Sequence, residues 1–333
     1  MCCKSQSKRL CWLLPCPVKY SNLNRVCEKR HTSFHSIRGN RKLSFRVCRA
    51  CDMKASVDVN DSKSLLVIGA GELGKRVAQL WKARFGSRVV GETRTCKNHS
   101  ELTELGVEPC LRDSSQLAPF PYVVFCASPR GNDNYVDEVK RALTLWRGDG
   151  NFVFTSSGSV YEPMDDGVIT EWSCTVSVDK SDTSSEAVLI ASERQVLEAK
   201  GNVVRLAGLY SIDRGPHAYW FRTRQVRGSP TDQVNLIHYD DAASLVFCVL
   251  CRQELRGNIF LGCDDHPISK DAICRFGNQL DKYRNEPFPV FMEQQVATKK
   301  KFYNNEYTRK TFPEWVPKYR TFEDFVQKVK ENR

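Results

Sequence analysis

The sequence predicts an α/β protein: a doubly wound parallel sheet, joined to a smaller C-terminal region that covers one end of it. Three observations carry this expectation. From residue 64 onward short apolar runs alternate with stretches of helical periodicity, the order that lays parallel strands side by side through crossover helices. The first apolar run ends in Gly69-Ala70-Gly71-Glu72-Leu73-Gly74, where a strand gives way to a helix. Beyond Gly208 the alternation loosens into a segment rich in Arg, Gly and Pro.

Each element follows from its own pattern. Residues 64–69 (SLLVIG) form an unbroken apolar run, the mark of a strand covered on both faces, and 73–85 carry the helical spacing of its crossover. Residues 88–93 and the shorter run 107–111 read as the second and third strands. Residues 122–127 (YVVFCA) and 151–157 (NFVFTSS) read as the fourth and fifth, with a helix over 135–146 between them. A helix over 184–200 leads into a sixth strand at 202–206, and a helix over 240–252 precedes a strand at 258–262. The expected organisation is a leader at 1–50, a linker at 51–62, a dinucleotide-type domain at 63–206, and a C-terminal region at 207–333 interleaved with that core.

The charge is confined to one place. The formal net charge of +11 equals the excess of the first 50 residues, which hold five Lys and seven Arg against Glu28, so the body of the chain is neutral. The leader is rich in Ser and Cys, and its apolar run at 10–14 is far too short to span a bilayer. It reads as an organelle transit peptide, with the chloroplast stroma preferred and the mitochondrion as the alternative, and with processing near Cys51. The other reading is a retained basic tail that binds an anionic partner. A neutral body without an RNA-binding module argues against nucleic acid as a partner. Nine Cys are scattered through the remaining chain and read as reduced thiols; Cys248-x-x-Cys251 falls inside a helix and reads as two small buried residues.

The glycine motif supplies the chemistry. After a strand and before a helix, Gly69 permits the tight turn, Gly71 lets the backbone approach a pyrophosphate, and Gly74 lets helix and strand pack closely. The amides at Glu72 and Leu73, with the helix dipole behind them, favour an anion. This is the fingerprint of a Rossmann-type sheet. The end of the second strand, Gly91-Glu92-Thr93-Arg94-Thr95, selects the dinucleotide. Arg94 lies 20 residues beyond Gly74 and suits a 2′-phosphate, Thr93 adds a hydroxyl, and alternation turns Glu92 to the other face. NADP is therefore expected, with NAD possible.

Taken in order, GAGELG, FCASP, NFVFTSSGSVYEP, NVVRLAGLY and NLIHYDDAA resemble the extended and atypical short-chain dehydrogenase/reductases, which include sugar-nucleotide epimerases and dehydratases. The resemblance covers about residues 64–326, and GAGELG, GETRT and NNEYTRK are similar to an atypical, YeeZ-like branch. It implies that Cys126, Ala127 and Ser128, ending the fourth strand, lie against the cofactor, and that Ser157 is the family's fifth-strand serine. The family's Tyr-x-x-x-Lys pair would fall at Ser185 and Leu189, where neither residue type stands. The tyrosine acts as acid/base, a contribution of about 10² to 10⁴ in rate, and a serine hydroxyl cannot take its place. Ser157 and Tyr161 are the catalytic candidates. Lys180, His217 and His238 are further ones with simpler structural readings: a loop charge, a residue of the covering region, and part of a helix start with Asp240 and Asp241.

Three functions stay open on these grounds. One is an NADP-dependent reductase or epimerase-like enzyme on a small polar metabolite with an altered proton donor. The second is a dinucleotide-binding structural or redox-sensing protein without turnover. The third, and weakest, is RNA binding in an organelle. No metal site and no membrane span is expected, and the chain is expected to be a monomer or homodimer. The substrate pocket falls to the loops at 211–230 and after Asp264.

Overall fold

A single parallel sheet organises the protein, as seen in a computed structural model that describes residues 61–112, 117–163, 167–179, 182–264, 266–292 and 301–332. The leader at 1–50, its processing site and Lys180 lie outside the described residues. The first half of the chain runs β1 (Leu65–Ile68), α1 (Glu72–Phe85), β2 (Val89–Thr93), α2 (His99–Glu104), β3 (Glu108–Leu111), β4 (Tyr122–Phe125), α3 (Tyr135–Thr144) and β5 (Phe152–Ser157). A short β6 (Val168–Ile169) precedes α4 (Ser185–Glu198) and β7 (Asn202–Leu206).

The second half contains β8 (Gly208–Tyr210), α5 (Pro216–Thr223), β9 (Gln225–Arg227), β10 (Gln233–Val234), β11 (Leu236–His238), α6 (Tyr239–Cys251) and β12 (Ile259–Gly262). It ends with β13 (Ile268–Ser269), α7 (Lys270–Gly277), β14 (Val290–Met292), β15 (Phe302–Tyr303), α8 (Glu306–Thr311) and α9 (Phe322–Glu331).

Seven strands pair in parallel in the order β3-β2-β1-β4-β5-β7-β12. This is the Rossmann-type order, and the winding reverses between β1 and β4, so ligands belong in the crevice beyond the carboxyl ends of those two strands. Alternation along β1 sorts its side chains between two cores. Leu65 and Val67 join Val77, Trp81, Leu245 and Val249 on the face covered by α1 and α6. Leu66 and Ile68 join Val139, Leu189 and Ile190 on the face covered by α3 and α4. Both faces are thus dry, which explains why β1 reads as an unbroken apolar run.

Residues 207–333 do more than cover the sheet. They contribute α6 to one face and β12 as its seventh strand. A third core of Tyr210, Phe221, Ile273, Phe322 and Phe325 draws α5, α7 and α9 together at the carboxyl end. Part of the segment read from sequence as an Arg-, Gly- and Pro-rich loop is helix α5; Gly215, at φ +115°, ends the loop and Pro216 opens the helix at a position where a missing N–H costs nothing. No described helix is long and apolar enough to cross a membrane.

Candidate functional site

The turn after β1 is built from backbone constraints. Gly69 adopts φ +81°, and a Cβ there would stand 2.4 Å from the Ala127 nitrogen, so only glycine fits between β1 and the end of β4. A Cβ on Gly74 would stand 2.7 Å from the Gly69 oxygen, the close packing of α1 on β1. Gly71 differs: its φ is −86° and nothing lies within 4 Å of where its Cβ would be. The turn is anchored by the Gly69 and Ala70 amides, which donate to the Glu92 carbonyl at 2.9 and 3.2 Å. No side chain caps α1, so its first-turn amides are left for whatever occupies the crevice.

A cleft of about 710 Å³ opens at this point. Gly69, Gly71, Glu72 and Leu73 line it together with Thr93, Arg94, Cys126, Ala127, Ser128 and Ser157, while Gly74 lies behind the turn. Every cofactor candidate read from the sequence except Gly74 therefore meets in one cavity, and its volume is that of an ordinary small-molecule site.

At the β2 end the acid is occupied and the bases are in excess. Glu92 lines the cleft, but as alternation along β2 requires it faces α3, and its carboxylate accepts from both terminal guanidinium nitrogens of Arg141. Arg112 pairs with Glu138 of α3. Arg94 donates to the Gly131 carbonyl at 3.0 Å and, like Arg130, lines the cleft. Thr93 Oγ1 donates to the Thr95 carbonyl at 3.0 Å and lies 2.8 Å from His99 Nε2.

The C-terminal region contributes Leu209, Arg214 and Tyr239 to the wall, the last two beside the start of α1. Glu72 holds Lys75 at 2.7 Å and Arg76 at 2.8 Å, with Arg214 at 3.9 Å. Burial pushes the Glu72 carboxyl up, but the hydrogen bonds from Lys75 and Arg76 outweigh it and leave the group below its ordinary range. Neither Tyr239 nor Arg214 was read from the sequence as a site residue. The HYDD block at the start of α6 held the signal, since a helix start at a sheet's carboxyl edge points toward the crevice.

The far end of the cleft is a row of hydroxyls: Thr155, Ser157, Ser159 and Ser185, with Leu189 behind. Ser157 Oγ accepts from the Ser159 amide at 3.1 Å. The cleft wall at Ser185 and Leu189 is where the resemblance places a tyrosine and a lysine, so α4 presents neither phenol nor ammonium to the cavity. Burial pushes the Cys126 thiol up to about 12, which keeps it protonated and inert.

Tyr161 is not brought to the cleft. It is fully buried in a small cluster with Ile169 and Leu261, and the Arg205 guanidinium lies 4.6 Å from its ring centre. Burial pushes its phenol up to about 12. A tyrosine leaving a strand end that is itself covered by β15 turns inward, not toward the ligand.

His217 is likewise enclosed, between Tyr283 and Phe322. His238 shapes a helix start in a different way from the one expected. Its own Nδ1 accepts from the Asp240 amide at 3.1 Å and caps α6, while Asp241 accepts from the amides of Lys318 and Tyr319 at 2.6 and 3.0 Å. Cys248 and Cys251 lie on α6 as free thiols, but not both buried as expected: Cys248 is half-buried and Cys251, the last residue of the helix, is exposed, and no cluster of metal-ligating side chains occurs among the described residues.

No family model and no curated protein matches the sequence. Solved structures match the fold. A functionally unknown conserved protein from Silicibacter pomeroyi is similar with a TM-score of 0.65 and 18% identity, over 81% of this chain and 98% of that one. MoeE5, solved in complex with UDP-glucose and NAD, is similar with a TM-score of 0.63 and 14% identity, over 79% and 96%. The UDP-glucuronic acid 4-epimerase from Bacillus cereus, in complex with UDP-glucuronic acid and NAD, gives a TM-score of 0.62 and 13% identity, over 80% and 99%. Fold and crevice define a Rossmann-type α/β protein with the architecture shared by these solved structures.

Proposed function

We propose that the protein binds a nicotinamide dinucleotide in the β1–α1 cleft, prefers NADP, and acts as a reductase or epimerase-like enzyme on a small polar metabolite. One observation carries this reading: at Gly71 alone the glycine motif is open, facing uncapped amides in a cavity of about 710 Å³. Gly69, Gly71, Glu72 and Leu73 would hold the pyrophosphate, and Cys126, Ala127 and Ser128 would lie against the nucleoside. Bound there, the dinucleotide would supply or accept hydride. Support for NADP comes from Arg94 and Arg130, two cleft-lining guanidiniums with no carboxylate partner among the described residues, whereas Glu92 is paired with Arg141. Solved structures of the same fold carry NAD together with UDP-sugars, which supports a dinucleotide beside a polar, hydroxylated substrate. The basic leader would direct the precursor to the chloroplast stroma.

A second reading is favoured by Ser185 and Leu189: a dinucleotide-binding protein that senses redox state without turnover. Both readings share one test. Isothermal titration with NADPH, NADP, NADH and NAD is expected to show NADPH binding that a Gly71→Asp variant abolishes, because its carboxylate would occupy the anion position while its backbone, at φ −86°, tolerates a side chain. Absence of binding by all four would remove both readings. Turnover on a panel of carbonyl and polyol metabolites then separates the first from the second.

A further inference from the structure

The start of α1 carries more positive charge than its surrounding carboxylates use. Lys75 bridges Glu72 and Glu101 at 2.7 and 2.6 Å, and Arg76 bridges Glu72 and Asp240 at 2.8 and 2.9 Å. Lys318 adds a longer contact to Asp240 at 3.8 Å. Each of the three acids is thus served before Arg214 is reached. Among the described residues the Arg214 guanidinium has no carboxylate nearer than Glu72, at 3.9 Å, and it lines the cleft with 57% of its side chain exposed. A contact of that length, to an acid already held by two closer bases, is weak and screened by solvent.

The loop that delivers Arg214 is rooted in the C-terminal core. Tyr210, fully buried against Phe322 and Phe325, anchors its start. Ser211 and Arg214 pair across the turn, the Ser211 amide donating to the Arg214 carbonyl at 2.9 Å. The Ile212 carbonyl accepts from the Tyr283 phenol at 3.3 Å, and Asp213 pairs with Lys282. Gly215, at φ +115°, passes so close to Tyr210 that a Cβ there would stand 2.7 Å from the Tyr210 Cβ. These contacts fix the backbone on both sides of Arg214 and leave its guanidinium to turn. Beside it Tyr239 lines the same wall, with Arg76 5.4 Å from its ring centre. Burial holds the Tyr239 phenol above its ordinary range, so the ring brings no negative charge to the cleft.

We propose that Arg214 clamps the pyrophosphate of the bound dinucleotide: its guanidinium leaves Glu72 and takes phosphate oxygens at the start of α1, so that the C-terminal region joins the glycine turn in holding the anion. This rests on the reading that the cleft holds a nicotinamide dinucleotide. The uncapped amides of α1 favour an anion, but Glu72, the first residue of that helix, brings a carboxylate to the same wall. A pyrophosphate settling there meets that negative charge, and the Arg214 guanidinium beside Glu72 offsets it. Arginine suits the task because its planar fork presents two parallel N–H donors to phosphate oxygens. The role differs from that of Arg94. A pyrophosphate is common to NAD and NADP, so Arg214 strengthens both and selects neither.

The test is calorimetric titration of the full chain, parent and variants, with NADPH, NADH and ADP-ribose, which keeps the pyrophosphate and lacks the nicotinamide. Arg214→Gln is expected to weaken all three by a common factor of about 10- to 150-fold, the range for a hydrogen bond to a charged group. Arg214→Lys, which restores a point charge without the fork, should recover part of the loss for all three. Affinities in Arg214→Gln equal to those of the parent, a loss confined to NADPH, or a loss that Arg214→Lys does not relieve overturns the clamp and leaves the dinucleotide reading standing. Failure of the parent to bind any dinucleotide removes both.

Discussion

Arg94 follows the last residue of β2, and its side chain hydrogen-bonds, among the described residues, to a backbone carbonyl, that of Gly131. That bond is replaceable, so the guanidinium can turn to a phosphate without breaking an ion pair. Glu92, by contrast, is 3% exposed and gives both carboxylate oxygens to Arg141, so its charge is already neutralised although it also lines the cleft. Arg94 is therefore the residue through which a 2′-phosphate preference is tested. Arg94→Ala is expected to weaken NADPH by about 1.5–3 kcal/mol, or about 10- to 150-fold in Kd, the range for a hydrogen bond to a charged group. NADH affinity should stay within about twofold, since it has no phosphate there to lose. Parallel calorimetric titrations measure both, and equal losses for the two dinucleotides would remove Arg94 from the 2′-phosphate site.

One buried ion pair joins α4 to β7 beside the apolar packing of Leu189, Ile190, Val196 and Val203. Arg205 lies on β7 and donates to Glu193 of α4 through Nε at 3.1 Å and Nη2 at 2.6 Å, with the two side chains 5% and 3% exposed. Glu193→Gln leaves the guanidinium enclosed without its counter-charge, which costs about 3–5 kcal/mol. A lowered urea midpoint should report this, with NADPH affinity of the folded fraction retained, because neither residue lines the cleft.

The same helix shows what a sequence can and cannot convey. β1, α1 and β2 were legible because an apolar run, a glycine turn and an amphipathic stretch are local signals, and the alignment of Ser185 and Leu189 with the cleft followed from counting along α4. Arg214, which lines the cleft, and Tyr303, which holds the turn after Ser157, were not legible in the sequence. Tyr303 reaches Gly158 across 145 positions, and Arg214 reaches Glu72 from a loop whose shape depends on Gly215 at φ +115°. Tyr161 misled for the converse reason: it is four residues from Ser157, yet β15 covers that strand end and seals it inside. Nearness in sequence and nearness to a ligand separate wherever a distant segment closes over a strand.

Across the molecule, three buried titratable groups in the C-terminal core tie stability to pH. Burial pushes His217 and His238 down to about 4, so the folded chain keeps both rings neutral where the unfolded chain, with an ordinary histidine pKa of about 6.5, protonates them. The unfolded state then binds more protons and stability falls on acidification from pH 6.5 toward 4. Asp241 works against this: burial raises its carboxyl to about 6 despite two backbone amide bonds, so the folded state holds a proton that the unfolded state has lost. Between about pH 4 and 6 the unfolded state therefore binds two extra protons and the folded state one. The net slope is about one proton, or about 1.4 kcal/mol lost per pH unit, and it stays near one proton up to pH 6.5, because the unfolded histidines lose their protons over the same range in which Asp241 ionises in the folded state. Urea unfolding across this range should show stability falling as the pH drops, and His217→Phe, which leaves an apolar ring among Tyr283 and Phe322, should flatten the slope by about one proton. A slope that His217→Phe leaves unchanged would mean that the ring is not held neutral by its burial.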